Sequence, residues 1–369
     1  MPKSAISKIR DFYTMTPDAP FYQAEFGFYS LERWIEEGHI SRETDLGKVF
    51  HFDEKAVFEL GGLGWCEAEM VPAFEVKVLE DRGEHELVQD HAGRAVLCFK
   101  GRKSGFMPEY VDHPVKNMKT WEDNVRWRLD CSTSERLQMI REKSQEAADA
   151  ERQGMIICQN IIGGYMYLRS LIGPLDLLFA FCDQPELIHA CMQTWFELAD
   201  HVMAEHQKHV TVDEIFLAED ICYNHGSLIS PDMMREFLFP YYQQLIENAK
   251  KRQSDKNRKL HIQIDTDGNC IPVIDLYKEI GMDHMSPFEV ASGCDVVEVR
   301  KKYPELLIRG GFDKRILAGT KEGIEREVER IMPFMKRHGG YIPLCDHGVP
   351  AEVSFENYMF YRQLMQQYQ

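Results

Sequence analysis

The densest run of reactive side chains is Leu260-His261-Ile262-Gln263-Ile264-Asp265-Thr266-Asp267-Gly268-Asn269. Leu260, Ile262 and Ile264 alternate with His261, Gln263 and Asp265, so a strand here has one apolar and one polar face. A strand of an alternating β/α protein is ordinarily apolar on both faces. A polar face that ends in two carboxylates fits a strand looking into a reaction cavity. Gly268-Asn269 then ends the run at the place where α/β barrels and open α/β sheets keep their active sites.

Other strand-like runs end alike, at Glu219-Asp220, Glu289, Asp313 and Asp346-His347. Carboxylates gathered around one mouth raise each other's pKa unless a cation or a substrate compensates. Oxygen donors with one imidazole suit Zn²⁺, Mn²⁺ or Fe²⁺. Three of these residues also have a structural reading. Asp313 can cap the helix after it or pair with Lys314 or Arg315. Asp267 precedes Gly268 and suits an Asx turn. His261 can be a hydrogen-bonded interior histidine. Glu219, directly after an apolar strand, and His347, between Asp346 and Gly348, read rather as ligand contacts.

The elements that must position these groups alternate from about residue 134 onward. The pattern predicts helices over 134–152, 185–206, 271–280, 295–302 and 322–337, one opened by Ser230-Pro231 and a last one from Ser354. Strands fall between them at 154–158, 214–218, 259–265, 284–288, 306–309 and 340–344. So many β/α units in succession favour a closed (β/α)8 TIM barrel, one α/β domain spanning 1–369. Residues 1–130 form an N-terminal extension. It holds two helices around the aromatic segment Phe21–Tyr29 and an antiparallel β meander over 68–103 that could act as a lid. No GxGxxG follows a strand and there is no P-loop, so dinucleotide and ATP folds drop away.

Composition narrows the partners. With 43 Lys and Arg against 60 Asp and Glu, the net charge of −17 speaks against nucleic acid and anionic membranes. The chain shows no signal peptide and no apolar run of membrane-spanning length. Its ten cysteines form no CxxC. Reduced thiols in a cytoplasm are expected. Ten cysteines and eighteen methionines would suit an oxygen-poor cell.

From about residue 20 to the end the chain resembles the uroporphyrinogen decarboxylase superfamily. The likeness rests on Trp34-Ile35-Glu36-Glu37-Gly38, Gly163-Gly164-Tyr165-Met166-Tyr167-Leu168-Arg169, Ala218-Glu219-Asp220, Asp265-Thr266-Asp267-Gly268-Asn269 and Ser286-Pro287-Phe288-Glu289. Arg309-Gly310-Gly311-Phe312-Asp313 and Tyr341 to Pro350 complete it, all in the expected order. The resemblance implies a (β/α)8 barrel. The arginine pair by which decarboxylases of this superfamily hold porphyrinogen carboxylates is missing, since that place reads Gln23-Ala24-Glu25-Phe26-Gly27. Turnover of uroporphyrinogen is therefore not expected. In the cobamide-dependent methyltransferases of the superfamily, zinc sits on a His-x-Cys-Gly-Asn strand end and a later Cys-Gly-Ile loop. Asp265, Asp267 and His347 fall on those positions, with carboxylates and an imidazole in place of thiolates.

The resemblance thus implies a metal-dependent methyltransferase of the O-demethylase type. It would move a methyl group from a small molecule such as a methoxylated aromatic to a corrinoid protein. The expected ligands of zinc or another divalent ion are Asp265, Asp267, His347 and Glu219. Glu219, Glu289 and Tyr165 are the candidates for moving protons. Phe26, Phe28, Trp65 and His261 are the candidates for substrate contact, the aromatics having core packing as their alternative. The corrinoid would arrive on a partner, and a homodimer is conceivable. Two alternatives stand beside this reading: a decarboxylase or lyase of a small acid, and a barrel that only binds a ligand.

Overall fold

The computed structural model describes residues 3–101 and 108–369. Met1 and Pro2, and the last two residues of the expected meander, 102 and 103, lie outside them. In chain order the strands are β1 (Val57–Glu59), β2 (Lys77–Arg82), β3 (His85–Gln89), β4 (Ala95–Phe99), β5 (Glu109–Asp112) and β6 (Ile156–Ile162). They continue with β7 (Glu214–Ala218), β8 (Cys222–Tyr223), β9 (Gly226–Ser227), β10 (His261–Asp265), β11 (His284–Ser286), β12 (Leu307–Arg309) and β13 (Tyr341–Ile342).

β1, β6, β7, β10, β11, β12 and β13 form one parallel sheet in that order, and helices cover its outer face. The helix Pro185–His206 buries Leu187, Ile188, Cys191, Trp195, Leu198, Ala199 and Val202, as its periodicity predicts. Trp195 Nε1 also donates to Ile162 O at 2.8 Å, tying this helix to the end of β6. Truncating so buried a tryptophan to alanine costs about 3–5 kcal/mol.

The expected closed eight-stranded barrel is corrected here: among the described residues the sheet has seven strands, and its edges β1 and β13 do not pair. Pro343 follows β13 directly and has no N–H to extend the ladder. The segment 21–29 touches both sides of the gap. Asp53 N donates to Gln23 O at 2.9 Å, Val349 N to Gly27 O at 2.8 Å, and Tyr29 N to Val349 O at 2.8 Å. At the other end of the strands, the helix Ala5–Tyr13 packs Ile9 and Phe12 against Ile156, Leu307 and Ile342 and so floors the sheet's concave side.

Among the described residues the meander has four strands, in the order β2-β3-β4-β5. Its first hairpin turns at Gly83 with φ +77°, and a bulge between Val78 and Glu80 breaks the alternation. Among the described residues no single helix is long and apolar enough to cross a membrane.

Candidate active site

The polar alternation seen in β10 extends across the sheet. Register aligns Cys158 with Glu214 and Glu214 with His261, Gln263 with His284, and Asp265 with Ser286. A barrel interior is ordinarily filled by branched apolar side chains. Here Asn160, Glu214, Gln263, Asp265, His284 and Arg309 instead line a cavity of about 1000 Å³. It reaches from Asp267 and His347 at the strand C-termini down to Ile9, Phe12 and Tyr13 of the floor helix.

Asp265 sits at the end of β10. Gln263 Nε2 donates to Ser286 Oγ at 2.8 Å, and Ser286 Oγ donates to Asp265 Oδ1. Oδ2 has no hydrogen-bond partner among the described residues, so a proton on this carboxyl belongs there, on a residue that lines the cavity. Burial, with the negative charge of Asp267 adding to it, pushes the carboxyl up to about 7. Asp267 is pushed up to about 6, mainly by burial, against the pull of His347. Its Oδ2 lies 3.7 Å from His347 Nε2, and both side chains are partly open. Asp220, held at φ +42° where side chains are uncommon, turns to Arg169 at 2.7 Å on the cavity wall. Gly268 has φ +77°, and a Cβ there would press within 2.8 Å of the Tyr223 backbone. That bare turn lets Gly268 N donate to Glu289 Oε2 at 2.9 Å.

The residues expected from the sequence divide. Asp265, Asp267, His347, Phe26, Phe28 and Trp65 line the cavity. Phe28 is mostly core, stacked on Phe50 and edge-on to Tyr358. Trp65 stacks on Phe216 with centroids 4.8 Å apart. The others need correction. Glu219 does not line the cavity. It is wholly buried, accepts from Tyr242 Oη at 2.6 Å and Tyr165 N at 3.2 Å, and is pushed up to about 7 by burial. A Cβ at Gly163 would collide with this carboxylate, which lies on the first turn of the helix Gly164–Ile172. Tyr165 is buried beside it, its hydroxyl pushed up to about 12 by burial. Glu289 faces Gly268 N and Lys314 outside the lining. His261 is fixed by Asp283 at 2.8 Å and stacked on Tyr13 at 4.2 Å, again outside the cavity. Asp313 caps the helix Lys314–Leu317 and holds Arg315, which settles its two readings.

The four expected metal ligands do not converge. Among the described residues no group of three or more His, Cys, Asp or Glu side chains is placed to hold an ion. Asp267 and His347 give two donors, Asp265 is engaged by Ser286, and Glu219 is walled off. A catalytic zinc site takes three protein ligands, so this set as placed does not fit the ion.

The sequence reading missed Arg309. Its guanidinium forms no hydrogen bond or ion pair among the described residues, its Nε is buried and unpartnered, and it lies 5.0 Å from the centre of the Phe26 ring.

Fold and site together define an α/β enzyme-type cavity at the strand ends of a parallel, barrel-like sheet. The chain belongs to the uroporphyrinogen decarboxylase family: the family model described as Uroporphyrinogen decarboxylase (URO-D) matches residues 104–368. A uroporphyrinogen decarboxylase of Neisseria meningitidis serogroup C is 23% identical over 174 residues, 45% of this chain and 44% of that protein. One from Hydrogenobaculum sp. is 28% identical over 83 residues, 22% of this chain and 23% of its own length. The matched stretch thus spans less than half of these relatives. A solved methyltransferase from Methanosarcina mazei shares the fold with TM-score 0.60 at 14% identity, covering 99% of this chain and 98% of that one.

Proposed function

We propose that the chain is a methyltransferase of this family that demethylates a small methoxylated molecule, an aromatic ether, and delivers the methyl group to a corrinoid on a separate protein. The observation that carries the reading is Asp265, a cavity-lining carboxyl pushed up to about 7 whose Oδ2 has no hydrogen-bond partner among the described residues. When the methyl carbon leaves its oxygen for a Co(I) corrinoid, that oxygen keeps the bonding pair and needs a proton. Asp265 supplies it from Oδ2, while the chain Gln263 to Ser286 to Asp265 holds the carboxyl in place. A positioned acid of this kind contributes about 10²–10⁴-fold. Asp267 and His347 stand beside it at the mouth as the route by which the proton is restored. The shared fold of the Methanosarcina mazei methyltransferase supports the reading.

A second reading, decarboxylation of a small acid, is favoured by the family match. There the C–C bond to the carboxylate breaks, the carbon keeps the pair, and Asp265 protonates it. Uroporphyrinogen is not its substrate. Gln23 is wholly buried, and Glu25 is itself an acid held by Cys345 N and Tyr358 Oη, so neither can receive a carboxylate.

The test mixes the full chain with a Co(I) corrinoid protein from the same organism and a panel of methoxylated aromatics. Conversion of the Co(I) absorbance to that of methyl-Co(III) is expected, faster than with free cobalamin. No conversion with any donor, together with CO₂ release from a small acid, replaces the first reading with the second.

A further inference from the structure

Among the described residues four Lys and Arg side chains line the cavity, and two of them, Lys55 and Arg309, form no ion pair; Lys55 is exposed to solvent. Arg94 and Arg169 are paired with Asp90 and Asp220. The Arg309 guanidinium, on the cavity wall, has no such partner among the described residues and a buried, unsatisfied Nε. Buried donors are nearly always satisfied, so a planar fork left open in a cavity marks a missing acceptor.

We infer that Arg309 receives the carboxylate of the substrate, so that the substrate class is a monocarboxylic acid with a flat apolar body. This rests on the cavity being the reaction site proposed above.

The geometry gives the class. Register places Asp265, Ser286 and Arg309 in one layer on β10, β11 and β12. Two strand spacings, roughly 10 Å, separate the backbones of Asp265 and Arg309. An acid anchored at Arg309 therefore lays its body toward the Asp265 carboxyl, within the reach of one ring. Phe26, beside the guanidinium, and Trp65, stacked on Phe216, offer that body flat apolar surfaces. The remaining walls select against more highly charged groups. Asp220, Asp265, Asp267, Glu59 and Glu214 line the same space, so a phosphate dianion meets repulsion that one guanidinium cannot offset. A single carboxylate matches the fork bidentately.

Matched pairs of acid and neutral amide test this by calorimetry on the full chain: methoxyacetate, 4-methoxybenzoate and 3,4,5-trimethoxybenzoate, each against its carboxamide. At least one acid should bind about 10-fold or more tightly than its amide. Arg309→Gln should abolish that difference and Arg309→Lys should keep part of it, both with unchanged far-UV circular dichroism. If no acid outbinds its amide, or if Arg309→Gln keeps the preference, the inference is overturned. Loss of fold in Arg309→Gln leaves the wild-type comparison and Arg309→Lys to decide. Acid preference without any transfer to Co(I) sustains the substrate class and sinks the methyltransferase reading. Transfer from neutral ethers that is indifferent to Arg309 does the reverse.

Discussion

Three carboxyls of this molecule, Glu25, Glu219 and Asp265, are pushed up to about 7, and the last two differ in what surrounds them. Glu219 is enclosed by Tyr242, Tyr165 and the first turn of Gly164–Ile172, every neighbour being protein. Asp265 lines a large cavity, with one oxygen held by Ser286 and the other without a hydrogen-bond partner among the described residues. Burial raises both, so the shift alone does not distinguish a structural acid from a working one. Access does.

The largest expected effect separates the two directly. Asp265→Asn should lower methyl transfer about 100-fold or more while leaving the melting temperature near that of the wild type. Glu219→Ala should do the opposite, leaving the rate per folded molecule close to normal. It strands the Tyr242 hydroxyl, a loss of about 1–3 kcal/mol in a denaturant titration. Equal rate losses in the two variants would erase the distinction.

A pH series sharpens it. If protonated Asp265 is the donor, single-turnover transfer falls as pH rises through about 7, and Asp265→Asn removes that limb. Glu219 leaves the rate alone and, like Asp265, couples stability to pH. Its folded value of about 7 lies above its ordinary 4.5, so the folded state binds the proton more tightly. Stability should therefore fall as pH rises from about 4.5 through 7 and level off above. Glu219→Gln should flatten part of that slope.

Smaller effects are expected at the mouth. His347→Ala and Asp267→Asn should each slow transfer about 10-fold, the loss expected for a group that passes on a proton rather than donating it to the substrate. Treatment with a chelator should leave the rate unchanged. Restoration by one stoichiometric divalent ion, lost in both variants, would make the Asp267 and His347 pair a ligand set after all. Uroporphyrinogen III should give no coproporphyrinogen above a boiled control, given how Gln23 and Glu25 are engaged.

Much of this contrast was already written in the spacing of residues. The alternation in 260–265 announced both the strand and the inward face that bears Gln263 and Asp265. The same period applied to β7 would have separated Glu219 from Asp220. Glu214, Phe216 and Ala218 face the cavity, so the next inward side chain is Asp220 and Glu219 turns out. Adjacency to a strand end drew attention to Glu219 and Glu289 without fixing which way either points. His261 shares the polar face and lies level with Glu214, but Asp283 and Tyr13 claim its ring. Arg309 is the last residue of β12, and no local pattern says that its guanidinium stays unpaired; that depends on which carboxylates the other strands bring near. The unpaired sheet edges were equally hidden, because they depend on how the segment 21–29 meets both sides.

The most direct test of the contrast needs no turnover. Infrared titration of the protonated-carboxyl band should show components that disappear near pH 7. One of them should shift when 4-methoxybenzoate is added at pH 6. That ligand-sensitive component should be absent in Asp265→Asn and intact in Glu219→Gln. If it survives in Asp265→Asn, or vanishes in Glu219→Gln, the working acid of this cavity is not Asp265.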